Sequence, residues 1–271
     1  MTPTVRQALA QSGLVPVDAQ VLLAHVLGCA RTWLVAHDDD PLPRLQADAF
    51  FALAKRRRAG EPVAYLTGTR EFWGLSLRVT PDVLIPRPET ETLVELALEW
   101  LPRDGAQRVL DLGTGSGAIA LAIAAERPRA RVVATDASAA ALAVARDNAA
   151  RLALTNVEFA HADWYDGVPG GAFDLVVSNP PYVAADDPHL SAGDLRFEPA
   201  GALASGVDGL AALRTIVGGA PARLARGGAL AVEHGYNQSP AVQELLRDAG
   251  FGQITVRRDL AGIPRVAGGR T

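Results

Sequence analysis

The sequence is poor in the residues that build disulfides and metal centres. It contains one cysteine in 271 residues, which excludes an intramolecular disulfide and a cysteine-based zinc cluster. That residue, Cys29, lies among apolar neighbours and is predicted to be a small core residue. The five histidines show no paired spacing of the kind that metal ligands use, so we expect no metal site.

Long apolar runs and a strong excess of charge are also missing. The longest uncharged apolar run, residues 118–125, is far below the roughly 20 residues needed to cross a bilayer. The N-terminus lacks the basic-then-apolar layout of a signal peptide. The formal net charge of −4 gives no general attraction to nucleic acid. We therefore expect a soluble, cytoplasmic monomer with no membrane partner and no direct nucleic-acid partner.

Apolar residues recur at helical spacing in the first quarter of the chain. The spacing predicts helices over residues 4–12, 18–27 and 44–59. Hydrophobic residues make up 49% of the sequence, which supplies enough apolar material for a packed core. We therefore predict a small helical N-terminal domain over residues 1–74.

A β-hairpin is predicted to link this domain to the rest of the chain. Apolar residues alternate with polar ones from Leu75 to Val79, and a second apolar run at residues 83–85 follows Pro81. Two such runs around a turn residue are typical of paired antiparallel strands. We therefore predict a hairpin linker over residues 75–86.

Strands and helices alternate from Arg108 onwards. This alternation predicts an α/β domain over residues 87–271, with a doubly wound, mostly parallel sheet and helices on both faces. The predicted strands cover residues 108–113, 131–136, 157–163, 173–177, 228–235, 253–258 and 265–267, and the predicted helices cover residues 89–101, 116–127, 138–152, 208–225 and 239–249.

A glycine-rich turn follows the first strand of that domain. The motif "VLDLGTGSG" places Gly113, Gly115 and Gly117 around Thr114 and Ser116, immediately before a predicted helix. Glycines there allow a ligand to approach the backbone at a helix N-terminus. Asp136 ends the second strand, where a carboxylate can accept hydrogen bonds from both hydroxyls of a ribose. These features alone fit a nicotinamide cofactor as well as S-adenosyl-L-methionine (AdoMet), but the G-x-G-x-G spacing favours AdoMet.

The motif "HADWYDG" (161–167) follows the third strand. Asp163 at that edge can accept a hydrogen bond from an adenine amino group, and Trp164 can stack on the base. A partly buried core tryptophan is an equally good interpretation of this motif.

The motif "NPPY" (179–182) ends the fourth strand, where two prolines cannot extend a sheet. The Asn179 side-chain oxygen and the Pro180 carbonyl can accept both hydrogens of one NH₂ group, and the Tyr182 ring can flank its plane. Pro180 and Pro181 hold these acceptors rigidly, so their dipoles need not reorganise during a reaction. A simple Asn-Pro turn that closes a strand is the structural alternative.

With these motifs in place, the chain resembles the HemK/PrmC family of protein-glutamine N5-methyltransferases. The similarity runs nearly end to end and is carried most clearly by residues 61–95, 197–216 and 233–251. It implies methylation, with AdoMet as donor and S-adenosyl-L-homocysteine as product, of the glutamine in the Gly-Gly-Gln motif of class I peptide chain release factors. It also implies a helical domain that helps to hold the release factor, a hairpin linker and a Rossmann-like AdoMet domain.

The resemblance also implies roles for particular residues. The residues implied to line the cofactor site are Gly113, Thr114, Gly115, Ser116, Gly117, Asp136, Trp164 and Asn179. Those implied to grip the glutamine amide are Asn179, Pro180 and Tyr182, with Pro181 stiffening the turn. Arg87 and Glu89 are expected to border the site without an assigned role.

Three other functions fit part of the same pattern. A sister family with a similar NPPY motif methylates a glutamine of a ribosomal protein. Adenine and cytosine also offer a planar NH₂ group, so a nucleic-acid amino methyltransferase is a second alternative, although it usually has a basic face. A non-catalytic AdoMet-binding module is the third, but it has no need of Asn179. Residues 183–205 form a long segment beside NPPY that is expected to contact substrate or to become ordered on binding.

Overall fold

The structure is a computed structural model that describes residues 2–191 and 193–271. Its contacts divide the chain into two compact units. The small unit comprises the chain up to Thr69 together with Gly193–Phe197, and the large unit comprises the remainder. In the described residues, no helix combines the length and the apolar character needed to cross a membrane.

The small unit is helical. Its helices are α1 (Val5–Gln11), α2 (Pro16–Leu27), α3 (Arg31–Ala36), α4 (Arg44–Arg58) and α5 (Val63–Thr67). Leu22, Leu23 and Phe50 are fully buried in its core. The sequence anticipated α1, α2 and α4 but missed α3 and α5, which are too short to show a helical period.

The segment Gly193–Phe197 belongs to the small unit although it lies far along the chain. Arg57 of α4 forms ion pairs with Asp18 at 2.7 Å and with Asp194 at 2.8 Å. The Arg196 guanidinium donates to the Ala59 carbonyl. The small unit is therefore discontinuous in sequence.

The hairpin lies earlier in the sequence than predicted. Its strands are β1 (Thr69–Phe72) and β2 (Leu75–Arg78). Trp73 and Gly74 connect them, both with positive φ, of 52° and 69°, as the favoured two-residue hairpin turn requires. Residues 83–85 form no strand, so that part of the prediction was wrong. Val83 and Ile85 are buried all the same, which explains their apolar character.

The large unit is built on a seven-stranded sheet in the order β5-β4-β3-β6-β7-β9-β8. The strands are β3 (Arg108–Leu112), β4 (Arg131–Asp136), β5 (Val157–His161), β6 (Phe173–Ser178), β7 (Leu224–Glu233), β8 (Gly252–Arg258) and β9 (Pro264–Arg270). The pairs among β3 to β7 are parallel, whereas β9 is antiparallel to both β7 and β8. The predicted doubly wound, mostly parallel sheet is confirmed.

Helices cover both faces of this sheet. They are α6 (Glu91–Trp100), α7 (Ala118–Glu126), α8 (Ala139–Arg151), α9 (Ala211–Gly219) and α10 (Ser239–Asp248). Val109 belongs to the core formed with α6 and α7, and its neighbour Leu110 belongs to the core formed with α9 and α10. Successive residues of a strand point to opposite faces, so a strand buried on both sides is a continuous apolar run.

Two predicted helices have different bounds in the structure. The helix predicted over residues 208–225 is α9, which ends at Gly219 and is followed by a 3₁₀ turn, Ala220–Ala222. Pro221 lies in that turn and cannot donate an α-helical hydrogen bond. The helix predicted over residues 89–101 begins as a 3₁₀ turn, Pro88–Thr90, before α6.

Candidate functional site

A cavity of about 500 Å³ opens at the carboxyl ends of the central parallel strands. It lies where β3 and β6 are neighbours, the point at which the direction of the chain across the sheet reverses. Such crevices are the usual ligand sites of doubly wound sheets. The predicted site residues that line it are Gly113, Thr114, Gly115, Ser116, Asp136, Trp164, Asn179 and Pro181, whereas Gly117, Pro180 and Tyr182 are not among its lining residues.

The glycine loop between β3 and α7 presents bare backbone to this cavity. Gly115 has φ +56°, a left-handed conformation that glycine adopts without steric cost. A Cβ atom at Gly115 would have no protein atom within 4 Å, so its backbone faces space that a ligand can occupy. Gly117 has a different function, because a Cβ there would lie 3.0 Å from Leu121 Cδ1 and 3.3 Å from Ala145 Cβ. Gly117 therefore allows close packing of α7 against α8.

Asp136 is held at the cavity edge by two backbone donors. Its Oδ2 accepts from the Gly115 N–H at 2.9 Å, and its Oδ1 accepts from the Ser138 N–H at 2.8 Å. Each carboxylate oxygen has two lone pairs, so one acceptor position remains on each. The side chain thus links the glycine loop to the start of α8 and can still accept two hydrogen bonds from a ligand diol.

A second carboxyl group, that of Asp111, holds the glycine loop through a buried hydrogen bond. Asp111 is fully buried in β3, and its Oδ2 accepts from the Thr114 hydroxyl at 2.7 Å. Burial raises the pKa of Asp111 to about 7, although the hydrogen bond from Thr114 opposes the shift. An acid inside an apolar strand is visible in "VLDLG", but the sequence alone predicted no role for Asp111.

We expect Asp111 to make the protein less stable as the pH rises from about 4 to about 7. A carboxyl with a raised pKa binds its proton more tightly in the folded chain, so its stabilising contribution is present below its unfolded pKa and is lost as the pH rises through the folded value. Each pKa unit corresponds to roughly 1.4 kcal/mol. Asp111→Asn keeps an acceptor for Thr114 and should reduce the slope of unfolding free energy against pH, measured by urea unfolding. The exposed Asp248→Asn is the control, and an unchanged slope in Asp111→Asn contradicts the assignment.

Asn148 of α8 holds the glycine loop at Ser116. Its Nδ2 donates to the Ser116 carbonyl at 2.9 Å and to the Arg78 carbonyl at 3.0 Å, while its Oδ1 accepts from the Arg78 N–H at 2.7 Å. The side chain is 1% exposed. One buried amide therefore ties the end of β2 to the glycine loop, a role that was not predicted from the sequence.

Trp164 lines the cavity from a strained tight turn. Its φ of 47° is unusual for a bulky residue, and such conformations cost on the order of 1 kcal/mol or more. Asp163 and Asp166 exchange two backbone hydrogen bonds of 2.9 Å across the turn. The Tyr165 hydroxyl donates to the Ile216 carbonyl at 2.8 Å. Tyr165 is thus anchored in the protein, and the Trp164 ring forms part of the cavity wall.

Asn179 follows β6 directly, and only one end of its side-chain amide is occupied. Nδ2 donates to Thr90 Oγ1 at 3.1 Å, and Thr90 itself is 4% exposed. Among the described residues, none donates to Asn179 Oδ1. Because Asn179 also lines the cavity, this oxygen is available as an acceptor for a bound NH₂ group.

Tyr182 is anchored by a buried acid on β7. Its hydroxyl donates to Glu233 Oε1 at 3.1 Å, and its carbonyl accepts from Gln238 Nε2 at 3.0 Å. Burial, together with the charge of Glu233, raises the pKa of Tyr182 above its usual range. The phenol therefore remains protonated, and its hydroxyl points inward, away from the cavity that Asn179 lines.

Arg87 and Glu198 hold a segment of the cavity wall. The Glu198 carboxylate accepts from the Arg87 guanidinium and, through Oε2, from the Ile85 N–H at 3.1 Å. The Glu198 side chain is fully buried. Arg87 lines the cavity as expected, whereas Glu89 is not among the lining residues. Glu198 fixes the backbone at Ile85, within the run 83–85 that the hairpin prediction had treated as a strand.

The fold and the cavity define a methyltransferase. Residues 90–204 match the family described as the methyltransferase small domain, and residues 4–68 match the PrmC N-terminal domain. The crystal structure of a methyltransferase from Pyrococcus furiosus shares the fold, with a TM-score of 0.56 over 80% of this chain and 96% of that chain, at 18% identity.

Proteins of similar sequence show which kind of methyltransferase the chain resembles. The release factor glutamine methyltransferase of Bordetella pertussis is 56% identical over 98% of this chain and 98% of that protein. The release factor glutamine methyltransferase of Burkholderia pseudomallei is 55% identical over 98% of this chain and 96% of that protein. The chain belongs to the family of release factor glutamine methyltransferases, which confirms the resemblance found in the sequence.

Proposed function

We propose that the protein transfers a methyl group from AdoMet to the side-chain amide nitrogen of the glutamine in the Gly-Gly-Gln motif of class I release factors. The names of its relatives support the substrate. The observation that carries the chemistry is the acceptor Oδ1 of Asn179 at the cavity wall, to which no described residue donates. We further propose that the small helical unit helps to hold the release factor and that the reaction takes place in the cytoplasm.

The residues of the cavity fit AdoMet. Gly115 leaves room for a ligand beside the backbone, and Asp136 keeps two acceptor positions for a ribose diol. Trp164 and Asp163 lie on the same wall and suit an adenine ring and its amino group. When bound, AdoMet would supply a methyl group activated by its sulfonium. The N–C bond forms as the C–S bond breaks, and S-adenosyl-L-homocysteine is the leaving group.

The protein's own contribution is to orient and polarise a weak nucleophile. An amide nitrogen attacks poorly because its lone pair is delocalised into the carbonyl. Asn179 Oδ1 and the Pro180 carbonyl accept its two hydrogens, which favours the pyramidal nitrogen and stabilises the positive charge that develops there. The nitrogen then loses one of these protons, finally to water. Holding the amide in line with the methyl group removes encounter entropy on the order of 7–11 kcal/mol.

The proposal is tested by incubating the purified protein with AdoMet and an unmodified class I release factor, followed by peptide mass spectrometry. A single added methyl on the Gly-Gly-Gln glutamine is expected. Methylation of a ribosomal protein or of nucleic acid, with no methyl group added to the release factor, would contradict the proposed substrate and favour that other methyl acceptor.

A release factor with glutamate in place of the target glutamine should not be methylated. A carboxylate brings no hydrogens to Asn179 Oδ1 and the Pro180 carbonyl, so both acceptors lose their partners in a desolvated site. The measurement is the same mass analysis with equal amounts of the two release factors. Detection of a glutamyl methyl ester contradicts the proposed amide grip.

A further inference from the structure

A buried carboxylate joins two stretches of the cavity wall. The side chain of Glu198 is fully buried, and it accepts from the Arg87 guanidinium and, through Oε2, from the Ile85 N–H at 3.1 Å. Arg87 lines the cavity, as do residues that follow Glu198 in the chain, namely Pro199, Gly201 and Ala202. We call residues 199–202 the wall segment. The ion pair therefore fixes the start of the wall segment against the stretch that carries Arg87.

The wall segment is held at its other end by the residue that follows NPPY. The Leu203 carbonyl accepts from the Val183 N–H at 3.0 Å, and the Val183 carbonyl accepts from the Ser205 N–H at 2.8 Å. Val183 comes directly after Tyr182, the last residue of the motif. The end of the wall segment is therefore bound to the same backbone that carries Tyr182.

Arg87 connects the start of the wall segment to Asn179. The Arg87 carbonyl accepts from the Thr90 N–H at 3.1 Å, and Thr90 Oγ1 accepts from Asn179 Nδ2 at 3.1 Å. The proposed ribose acceptor, Asp136, is held instead by backbone donors of the glycine loop and of the start of α8. Both attachments of the wall segment thus lead to the two ends of NPPY, which places it on the side of the cavity proposed for the substrate.

Gly201 of the wall segment has no structural need to be a glycine. It lies in a 3₁₀ turn, Ala200–Ala202, and is not among the glycines with positive φ, so other residues can adopt its backbone conformation. A Cβ atom at Gly201 would have no protein atom within 4 Å, so packing does not require glycine either. The missing side chain leaves bare backbone at the cavity, which a ligand can approach closely.

We propose that the main chain flanking the target glutamine lies along the wall segment, where Gly201 determines how large a residue fits and Glu198 is the positioning residue that holds the segment. The proposal rests on the proposed function and deepens it. A peptide with two glycines before its glutamine has no side chains at those positions, so its backbone can lie against the bare backbone of Gly201. Bulkier residues at the same positions would be excluded by contact with the wall segment.

Gly201→Leu tests the contact with the peptide. Leucine fills the space proposed for the substrate main chain and removes no contact within the protein. We expect kcat/KM for the release factor to fall roughly ten-fold or more, chiefly through KM, with the Kd for AdoMet unchanged within about three-fold by titration calorimetry. Gly201→Ala adds a single carbon and should give a smaller loss.

Gly218→Leu is the matched control for this substitution. Gly218 is an exposed residue of α9 without positive φ, and a Cβ atom there would also have no protein atom within 4 Å. It is not among the residues that line the cavity. Its kcat/KM for the release factor should match that of the wild-type protein.

Glu198→Gln tests the positioning residue. Glutamine keeps the shape, but its NH₂ group replaces one acceptor and meets a donor, either the Arg87 guanidinium or the Ile85 N–H. We expect the same pattern, a loss of kcat/KM for the release factor with AdoMet affinity retained. Glu244→Gln, at an exposed position of α10, is the control. If Glu198→Gln does not fold, the Gly201 variants decide the inference.

Three results would overturn parts of the inference. Wild-type kcat/KM in Gly201→Leu would remove the peptide from the wall segment. A loss of AdoMet affinity in that variant would assign the segment to the cofactor instead. Wild-type kcat/KM in a folded Glu198→Gln variant would remove the positioning role of Glu198. Failure of the proposed function looks different, because the wild-type protein itself would then leave the release factor glutamine unmethylated.

Discussion

Replacing Asn179 by alanine is expected to lower turnover by roughly 10²–10³-fold, comparable to the loss of one preorganised polar group in other active sites. The variant removes the acceptor oxygen at the cavity wall and leaves the Thr90 hydroxyl without its donor. Asp136 and the glycine loop, which are proposed to bind AdoMet, are untouched. The expected signature is therefore a low kcat with a nearly unchanged Kd for AdoMet, measured by single-turnover methylation and by titration calorimetry.

Asn237→Ala, at an exposed position after β7, is the control for this variant. Its turnover should match that of the wild-type protein. If Asn179→Ala turned over at the wild-type rate, the amide grip would be wrong. If it lost AdoMet binding instead, Asn179 would act mainly on the cofactor.

Replacing Asp136 by alanine is expected to weaken AdoMet binding at least roughly 10²-fold. Two hydrogen bonds to a charged acceptor contribute about 1.5–3 kcal/mol each. The substitution also leaves the N–H groups of Gly115 and Ser138 without the acceptor that shapes the loop. Titration calorimetry with AdoMet measures the loss directly.

Asp136→Asn refines this test, because it keeps one acceptor oxygen and nearly the same shape. Its affinity for AdoMet should lie between those of the wild-type protein and the alanine variant. The exposed Asp248→Ala should bind as the wild-type protein does. Wild-type affinity in Asp136→Ala would remove Asp136 from the cofactor site.

The parallel part of the sheet could be predicted closely from the sequence. The strand predicted over residues 131–136 is β4 itself, and the helix predicted over residues 138–152 is α8 to within one residue at each end. Both faces of β4 are buried, which leaves an uninterrupted apolar run, and Ser138 caps α8 by accepting from the Ala141 N–H at 3.2 Å. Such signals are local and therefore visible in the sequence.

The hairpin was placed wrongly because its turn carries no standard signal. Trp73 adopts a positive φ, whereas asparagine, aspartate or glycine normally marks that position. Residues 83–85 have the apolar character of a strand, but Val83 and Ile85 are buried in irregular backbone, where Glu198 accepts from the Ile85 N–H. Long-range packing determined their conformation, and a single sequence does not display it.

The cofactor and NPPY residues could be proposed from the sequence because each motif is a short, continuous stretch of the chain. Thr90, Asn148 and Glu233 were missed for the opposite reason, since their partners lie on other elements. One local clue did exist. Glu233 ends the apolar strand "GALAVE", and an acid at the end of a buried parallel strand is costly unless it is paired.

During synthesis, the small helical unit cannot be completed when its last helix leaves the ribosome. α5 ends at Thr67, but Asp194 and Arg196, which bind Arg57 and the Ala59 carbonyl, are made only after β6. Before Asp194 has been synthesised, Arg57 can pair with Asp18 but not with Asp194. Domains usually mature in order from the N-terminus, whereas here the N-terminal unit gains its final contacts after half of the catalytic sheet has been translated.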